Sequence, residues 1–389
     1  MANNKKQHYV PKFYLKNFSD ENGRISVYNL HKDMVLASVP YGSQCAKDYY
    51  YGEDCVWEKC LSLKEAQWSA LFKRISNGDT LDLDDKNLIK SFALYQSQRT
   101  LAENEYKKQQ RQELLEETGR LLYKKNGWIF DEEAEKVVRE RAENDITPSE
   151  SLQLASQMLS IVDDLSVTVI RYKTQNKLVS SDVPVVVINK FHEPTIGYGC
   201  MGIIFLFPIT PELLVVIYDS KMYPKYKNDS YITSFDETEV RNLNVLQFIS
   251  AETILLANNI NDLPEYTDEE KIIRDTNREG KVLSTLGADD NKLIVTSQRK
   301  AVYKCELSFG HLNHSTRKIP FICREAAPRI YDPEWEKKFD EKVLFSSVIR
   351  DVPELKKSVE ISSREWRKGC QLMATFAKNY WKHHEMNII

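Results

Sequence analysis

The chain has 389 residues, 42% of them hydrophobic and 29% charged, which is ordinary for a globular protein and enough to bury a large core without disulfides. The formal net charge of −3 gives no overall attraction to nucleic acid or anionic membranes, although a local basic groove is compatible with it. The start, MANNKKQHYV, lacks the apolar core of a signal peptide, and no run reaches the ~18 uninterrupted apolar residues of a membrane span. Seven scattered cysteines then indicate reduced thiols in a cytoplasmic protein.

The first fifty residues predict a short helix followed by a β-hairpin. Pro11 suits the first position of a helix, which would continue through KFYLKNF and end before the turn-rich residues 19–23. Residues 24–30 and 34–39 then alternate apolar and polar side chains around a His-Lys-Asp turn, a pattern typical of a hairpin.

Helical periodicity begins at Trp57 and predicts a first long helix that ends at Gly78 as its C-cap. A second helix is predicted to start after Asp84-Asp85 and to continue to about Tyr123, with its charged part facing water or a partner. Two further helices are expected over 132–143 and 149–163. Together they predict a helical hairpin or bundle across about 57–163.

After Leu165 the sequence becomes rich in β-branched and aromatic residues, in the runs VTVIRY, KLVSS, VPVVVIN, MGIIFLF and ELLVVIYD. A helix is predicted over 236–250, capped by Asp236, and a strand over 253–257. Further strands are expected within 293–325 and mostly helices over 333–385. The predicted fold class is therefore α+β, with the bundle packed on a mixed sheet and a helical C-terminal region. The predicted domains are 1–260 and 261–389.

Gln7 and His8 lie directly before the helix that Pro11 is predicted to start. A histidine titrates near neutral pH, so it can serve as a general base, a general acid or a metal ligand. The free N–H groups at a helix start also attract anions such as phosphate. The alternative is that both side chains only bond to the backbone and hold the N-terminal segment in place.

Several stretches resemble, in matching order, the bacterial domain-of-unknown-function family numbered 4238. They are QHYVPKFYLKNFS, ISVYN, KDYYYGED, WEKCLSLKEAQWSALFKRI, FALYQSQRT, VSSDVPVV, FPITPELL and VRNLN, and they span about residues 5–260. The family has Asn where this chain has Val183, so its S-D-N-P pattern is only partly kept, and residues 290–389 lie outside the resemblance. The resemblance implies a shared architecture and candidate positions, not an activity.

Four polar positions on the predicted helices are further candidates. Glu58 and Glu65 share one face but lie about 10 Å apart along the axis, too far to hold one metal ion without intervening ligands. Gln96 and Arg99 share a face beside apolar residues, where an arginine needs a carboxylate or phosphate partner. One interpretation pairs Arg99 with Glu58 or Glu65, and the other lets it clamp a ligand.

Ser181 and Asp182 open a Ser-Asp-x-Pro break in the β-rich region, a turn whose side chains bond their own backbone. The break also places a carboxylate at a strand end, where catalytic residues are frequent. Ser181 is not in a G-x-S-x-G motif, so nothing indicates a nucleophile.

One cysteine and histidine set has the residue types of a zinc site: Cys305, His311, His314 and Cys323. Its spacing, C-x5-H-x2-H-x8-C, matches no standard zinc finger, and exposed loop histidines are the favoured interpretation. The sequence has no P-loop or G-x-G-x-x-G, so nothing argues for a nucleotide cofactor.

Two hypotheses of function follow. In the first, the protein hydrolyses phosphodiester bonds of nucleic acid or another phosphate-containing ligand, with room for a bound divalent metal ion. The catalytic residues would be His8, Glu58, Glu65 and Asp182, and the substrate-binding residues Gln7, Gln96, Arg99 and Ser181. In the second, the same residues form a buried structural network in a non-enzymatic protein. The charged helix around 107–120 and the C-terminal helices would then serve a protein partner or self-association.

Overall fold

The computed structural model describes residues 5–144, 148–189, 198–199, 202–220, 222–279, 283–286, 293–296, 303 and 305–310. These residues form eight α-helices and thirteen β-strands. The helices are α1 (Lys12–Lys16), α2 (Val56–Asn77), α3 (Leu83–Gln98), α4 (Leu101–Lys125), α5 (Glu132–Asn144), α6 (Pro148–Gln157), α7 (Glu237–Ser250) and α8 (Asp268–Glu279). The strands are β1 (Lys6–His8), β2 (Arg24–Asn29), β3 (Met34–Pro40), β4 (Ala46–Asp48), β5 (Ser166–Tyr172), β6 (Ser180–Ser181), β7 (Val186–Asn189), β8 (Ile203–Thr210), β9 (Leu213–Tyr218), β10 (Tyr231–Ser234), β11 (Ile254–Ala257), β12 (Leu283–Leu286) and β13 (Leu293–Thr296).

A five-stranded mixed sheet, in the order β10-β5-β9-β8-β7, lies at the centre of the fold. Its β10–β5 pair is parallel and its other pairs are antiparallel. Along β8, Phe205 and Phe207 belong to the core shared with the helices before the sheet, whereas Ile204 and Leu206 belong to the core shared with α7. Because both faces are covered, the strands read as nearly continuous apolar runs.

An aromatic cluster joins the helical layer to this sheet. The ring of Phe92 on α3 is fully buried and lies 4.8 Å from that of Phe72 on α2, 5.5 Å from Trp68 and 5.4 Å from Phe207 on β8. The ring of Phe13 on α1 packs on the same residue at 6.2 Å. The predicted packing of helices on a mixed sheet, and the α+β class, are thereby confirmed.

The single helix predicted up to Tyr123 is wrong, because the chain leaves the helical conformation between α3 and α4. Thr100 has φ −73° and ψ 157°, and its hydroxyl accepts a hydrogen bond from the N–H of Glu103, which caps α4. The break leaves the carbonyl of Arg99 without a helical N–H, and the Tyr50 hydroxyl donates to it at 3.0 Å. The same hydroxyl lies 3.1 Å from the Thr100 carbonyl, which also accepts the N–H of Asn104 in α4. The start of α3 is also earlier than predicted, since Asp82 is its cap and Asp84 and Asp85 lie in its first turn.

A second sheet, in the order β3-β2-β11-β6, contains the predicted hairpin, in which Asn29 pairs with Met34. The helix capped by Asp236 is confirmed as α7. The β1–β4 ribbon, β10 and α8 were not predicted. None of the described helices has the length and apolarity to cross a membrane.

The described residues after 260 pack on the preceding part of the chain. The helix α8 contacts α7, and Leu307 and Phe309 are buried in the core on the α7 side of the sheet. The strand β13 falls within the predicted 293–325 region. The other elements predicted there beyond residue 310, and the helices predicted over 333–385, lie outside the described residues.

Replacing Phe92 by Ala should lower the free energy of unfolding by about 3–5 kcal/mol, because it opens a cavity where helices and sheet meet. Leu83→Ala is the matched control, since Leu83 is 70% exposed at the start of the same helix and should change stability by less than about 0.5 kcal/mol. Urea unfolding followed by circular dichroism measures both. Equal effects of the two substitutions would contradict the placement of Phe92.

Candidate functional site

The N-terminal segment is tied down by a short antiparallel ribbon in which β1 pairs with β4. Gln7 on this ribbon is fully buried. Its amide nitrogen donates to the carbonyl of Gly52 at 3.0 Å, and its amide oxygen accepts from the N–H of Tyr51. Both ends of the Gln7 amide are therefore used on the loop that precedes α2.

His8 is held in its neutral form. Burial lowers the pKa of its ring to about 4; a hydrogen bond to Gly42 opposes the shift, and the positive charges of Lys12, Lys6 and Arg99 add to it. Since the Gly42 carbonyl can only accept, the proton lies on Nε2, 3.1 Å from that oxygen. The other ring nitrogen, Nδ1, has no hydrogen-bond partner among the described residues and keeps its lone pair.

The main-chain oxygen of Tyr9 is the point where three segments meet. It accepts hydrogen bonds from Nε2 of Gln96 and from Nε of Arg99, both at 2.9 Å. The two terminal nitrogens of Arg99 each lie 2.9 Å from one carboxylate oxygen of Glu65 on α2. Arg99 is fully buried, so this ion pair satisfies a charge that water does not reach. Of the two predicted interpretations, the structure shows the pairing with Glu65.

Glu58 lies beside this ion pair but takes no part in it. Burial raises the pKa of its half-buried carboxyl, and repulsion from Glu65 adds to the shift, while Arg99 and Lys12 oppose it. The carboxylate makes no hydrogen bond or ion pair with a described residue. The structure thus brings together six predicted residues, which we call the N-terminal polar cluster: Gln7, His8, Glu58, Glu65, Gln96 and Arg99.

The side chains of Ser181 and Asp182 bond α7 and the loop that follows it. The Asp182 carboxylate accepts from the N–H groups of Glu252 and Thr253 at 2.9 and 2.7 Å, and Ser181 donates to Gln247 at 2.9 Å. Burial raises the pKa of Asp182 to about 6 although these backbone bonds oppose the shift. Over the described residues, no hydrogen bond or ion pair joins either side chain to the N-terminal polar cluster. Ser181 joins β6 to α7, and Asp182 holds the turn after β6 against the loop between α7 and β11.

Sequence reasoning missed the two tyrosines that surround the cluster. Tyr51 donates to the carbonyl of His8 at 3.2 Å, and Tyr50 bonds the main chain at the α3–α4 break. Three consecutive tyrosines at 49–51, in a segment with no helical or strand period, were the available signal. So many large rings in a loop indicate that the loop is buried.

An apolar pocket lies between the sheet and α7, apart from the polar cluster. Its lining includes Val186, Leu206 and Leu243, with Asn244 and Gln247 as the polar members. Both ends of each of these two amides already bond protein groups. The pocket is therefore a gap in the packing that offers a ligand no free polar group.

Metal ligands are not grouped in the part of the chain that the structure describes. No three His, Cys, Asp or Glu side chains there are placed to hold one metal ion. Of the set weighed as a zinc site, only Cys305 is described, and the other three members lie outside the described residues.

The fold and the site define an α+β protein in which buried polar groups fasten an N-terminal segment across a helical layer. The profile of a protein family described as "Protein of unknown function (DUF4238)" matches residues 6–260, more than half of the chain. The chain belongs to this family, which confirms the resemblance in its sequence. No curated protein and no solved structure matches the chain.

Glu65→Gln should lower the free energy of unfolding by about 3–5 kcal/mol, because it leaves the Arg99 guanidinium buried without a counter-charge. Glu58→Gln is the matched control on the same helix face. It removes a carboxylate whose raised pKa shows that ionisation is disfavoured, so stability should stay equal or rise slightly. Urea unfolding at pH 7 tests the pair, and a Glu58 variant as unstable as the Glu65 variant would contradict this assignment.

The pKa of His8 sets a pH dependence of stability. The pKa falls from 6.5 in the unfolded chain to about 4 in the folded one, so on acidification the unfolded state takes up the proton first. The contribution of neutral His8 to the free energy of unfolding is therefore complete above pH 6.5 and is lost as the pH falls towards 4. At ~1.4 kcal/mol per pKa unit, the loss amounts to about 3 kcal/mol.

The measurement is the difference in unfolding free energy between the wild type and His8→Gln, which keeps a donor for Gly42 but does not titrate. This difference should favour the wild type increasingly from pH 4 to 6.5 and then level off. The raised pKa of Asp182 acts in the opposite direction but is present in both proteins and cancels. A flat difference would contradict a buried, neutral His8.

Proposed function

We propose that the protein is a non-enzymatic binding protein in which the N-terminal polar cluster is structural. One observation carries this proposal: the buried donors of the cluster already bond the protein itself. The amide nitrogens of Gln7 and Gln96 donate to main-chain oxygens, and every guanidinium nitrogen of Arg99 has a protein acceptor. The groups that would hold a phosphate are therefore engaged.

The energetic balance supports the same proposal. Releasing Arg99 to bind a substrate would leave the Tyr9 carbonyl without one of its two donors and Glu65 without its counter-ion. Hydrogen bonds to charged groups contribute about 1.5–3 kcal/mol each, so a substrate would have to replace several such bonds before it gained any affinity. The cluster stabilises the fold, and the rigid core then presents binding surfaces elsewhere.

A second candidate function, phosphodiester hydrolysis, is favoured by two groups that make no hydrogen bond within the cluster. The Nδ1 of neutral His8 is an unused acceptor, and Glu58 is a half-buried carboxyl with a raised pKa. Such a pair can supply a general base and a general acid, and exposed Lys12 carries a positive charge near both. In this candidate His8 would take the proton of an attacking water, and Glu58 would protonate the leaving oxygen.

The test compares the wild type, His8→Gln, Glu58→Gln and the control Glu21→Gln, which changes an exposed carboxylate in a turn. Each protein is incubated with bis(p-nitrophenyl) phosphate and with single-stranded DNA and RNA, and its melting temperature is recorded. For a binding protein, all four should show the same background hydrolysis.

The opposite outcome is equally specific. If the wild type hydrolyses a substrate, and both His8→Gln and Glu58→Gln lose at least about 100-fold while they melt like the control, the second candidate replaces the first.

A further inference from the structure

The helices α4 and α5 pack against each other as a two-helix arm, and α4 also contacts β12. The side chains of Ala102, Asn104 and Tyr106 are buried at the base of α4, and none of the described side chains beyond Tyr106 on this helix is. The helix nevertheless continues to Lys125, about 28 Å further at ~1.5 Å per residue, before α5 returns along it. We call residues 107–144 the arm.

The turn at the tip of the arm is well packed. The Phe130 ring lies so close to Gly119 that a Cβ there would come within 2.8 Å of it, and its centroid is 5.3 Å from that of Tyr123. The Trp128 ring packs at 5.6 Å on the same tyrosine, and the N–H of Trp128 donates to the Tyr123 carbonyl at 2.9 Å. The tip therefore has a defined shape.

This shape holds large apolar side chains out into solvent. Leu122, Trp128, Ile129 and Val137 are 52%, 63%, 83% and 60% exposed, and all lie within about two helical turns of the connecting loop. Grouped exposed apolar residues on a soluble protein mark a surface that is covered in the functional assembly.

The helix ends beside this apolar group carry charges of opposite sign. Lys124 and Lys125 end α4, and Glu132 and Glu133 begin α5. All four are exposed, and none forms an ion pair with another described residue. If two copies are related by a two-fold axis, the lysine pair of each copy can face the glutamate pair of the other, which gives two equivalent charge contacts.

We propose that the arm tip binds a second copy of this chain, forming a symmetric dimer with the apolar group at its centre. The inference names the partner for the binding function proposed above and rests on it. Trp128 and Ile129 of each copy pack across the two-fold axis, and the lysine pair of each copy meets the glutamate pair of the other.

Complementary charge reversal tests this contact. Lys124→Glu/Lys125→Glu places like charges at both contacts of the dimer, and so does Glu132→Lys/Glu133→Lys. Each variant alone should be a monomer in sedimentation velocity at micromolar concentrations where the wild type is a dimer. An equimolar mixture of the two should form dimers again, because both contacts then join opposite charges.

The mixture also separates dimerisation from a local effect. These charges complement the dipoles of their own helices, so a reversal lowers helix stability to the same extent in a mixture as alone. Recovery on mixing therefore supports the contact, whereas monomers in the mixture together with a dimeric wild type would overturn it.

The apolar part is tested by Ile129→Ser/Val137→Ser against Leu63→Ser/Ile272→Ser, which removes equally exposed apolar side chains away from the arm. The first variant should weaken the dimer by at least about 100-fold and the control should leave it unchanged. A monomeric wild type, with or without binding to lipid vesicles, would overturn the inference but leave the structural role of the cluster intact. Hydrolysis that depends on Glu58 would overturn the proposed function and leave the dimer.

Discussion

The fold depends on how one fully buried positive charge, that of Arg99, is satisfied. A guanidinium without water needs protein acceptors on all its nitrogens, and here the Tyr9 carbonyl and the Glu65 carboxylate supply them. These acceptors belong to the N-terminal segment and to α2, while Arg99 itself ends α3. One ion pair and one carbonyl therefore fix three segments that are far apart in sequence.

Burial is the main cause of the pKa shifts of the two neighbouring groups, and the charge of Arg99 contributes to both. It adds to burial in lowering the pKa of His8, and it works against burial at Glu58. Burial favours the neutral form of each group, so the cluster contains one strong ion pair and two flanking groups that ionise reluctantly. This composition fits a structural network, since the fully buried charge of Arg99 is paired with Glu65 and burial shifts the pKa of each flanking group towards its neutral form.

Periodic signals predicted the elements whose side chains alternate regularly. Trp68 and Phe72 marked the buried face of α2, and the apolar run of β8 indicated a strand covered on both sides. The break at Thr100 was not predictable in this way, because the local sequence SQRTLAE contains neither Gly nor Pro and suits a continuous helix. The partner of the freed Arg99 carbonyl is the hydroxyl of Tyr50, which is distant in sequence and gives no local signal.

The sequence likewise identified most of the candidate residues, but it did not predict which residues they contact. Glu58 and Glu65 lie on one helix face, and nothing local to α2 shows which of them meets Arg99. Ser181 and Asp182 are grouped with the other candidate residues by residue type alone, whereas their bonds to Gln247 and to the loop after α7 depend on how the second sheet packs. Residue type suggests chemistry, but the contact between distant segments decides it.

The break after Arg99 also connects the cluster to the arm. Arg99 is the C-cap of α3 and the next residue, Thr100, caps α4, so the residue that pairs with Glu65 lies directly at the start of α4. Asn104, on the first turn of α4, donates to the Tyr50 hydroxyl and accepts a bond from Ser151 at 3.2 Å, which fixes the base of the arm from two sides. A long two-helix arm can present its tip in one orientation only if its base is rigid. Tyr50 bonds both the Arg99 carbonyl and the Asn104 side chain, and it therefore joins the N-terminal polar cluster to the base of the arm.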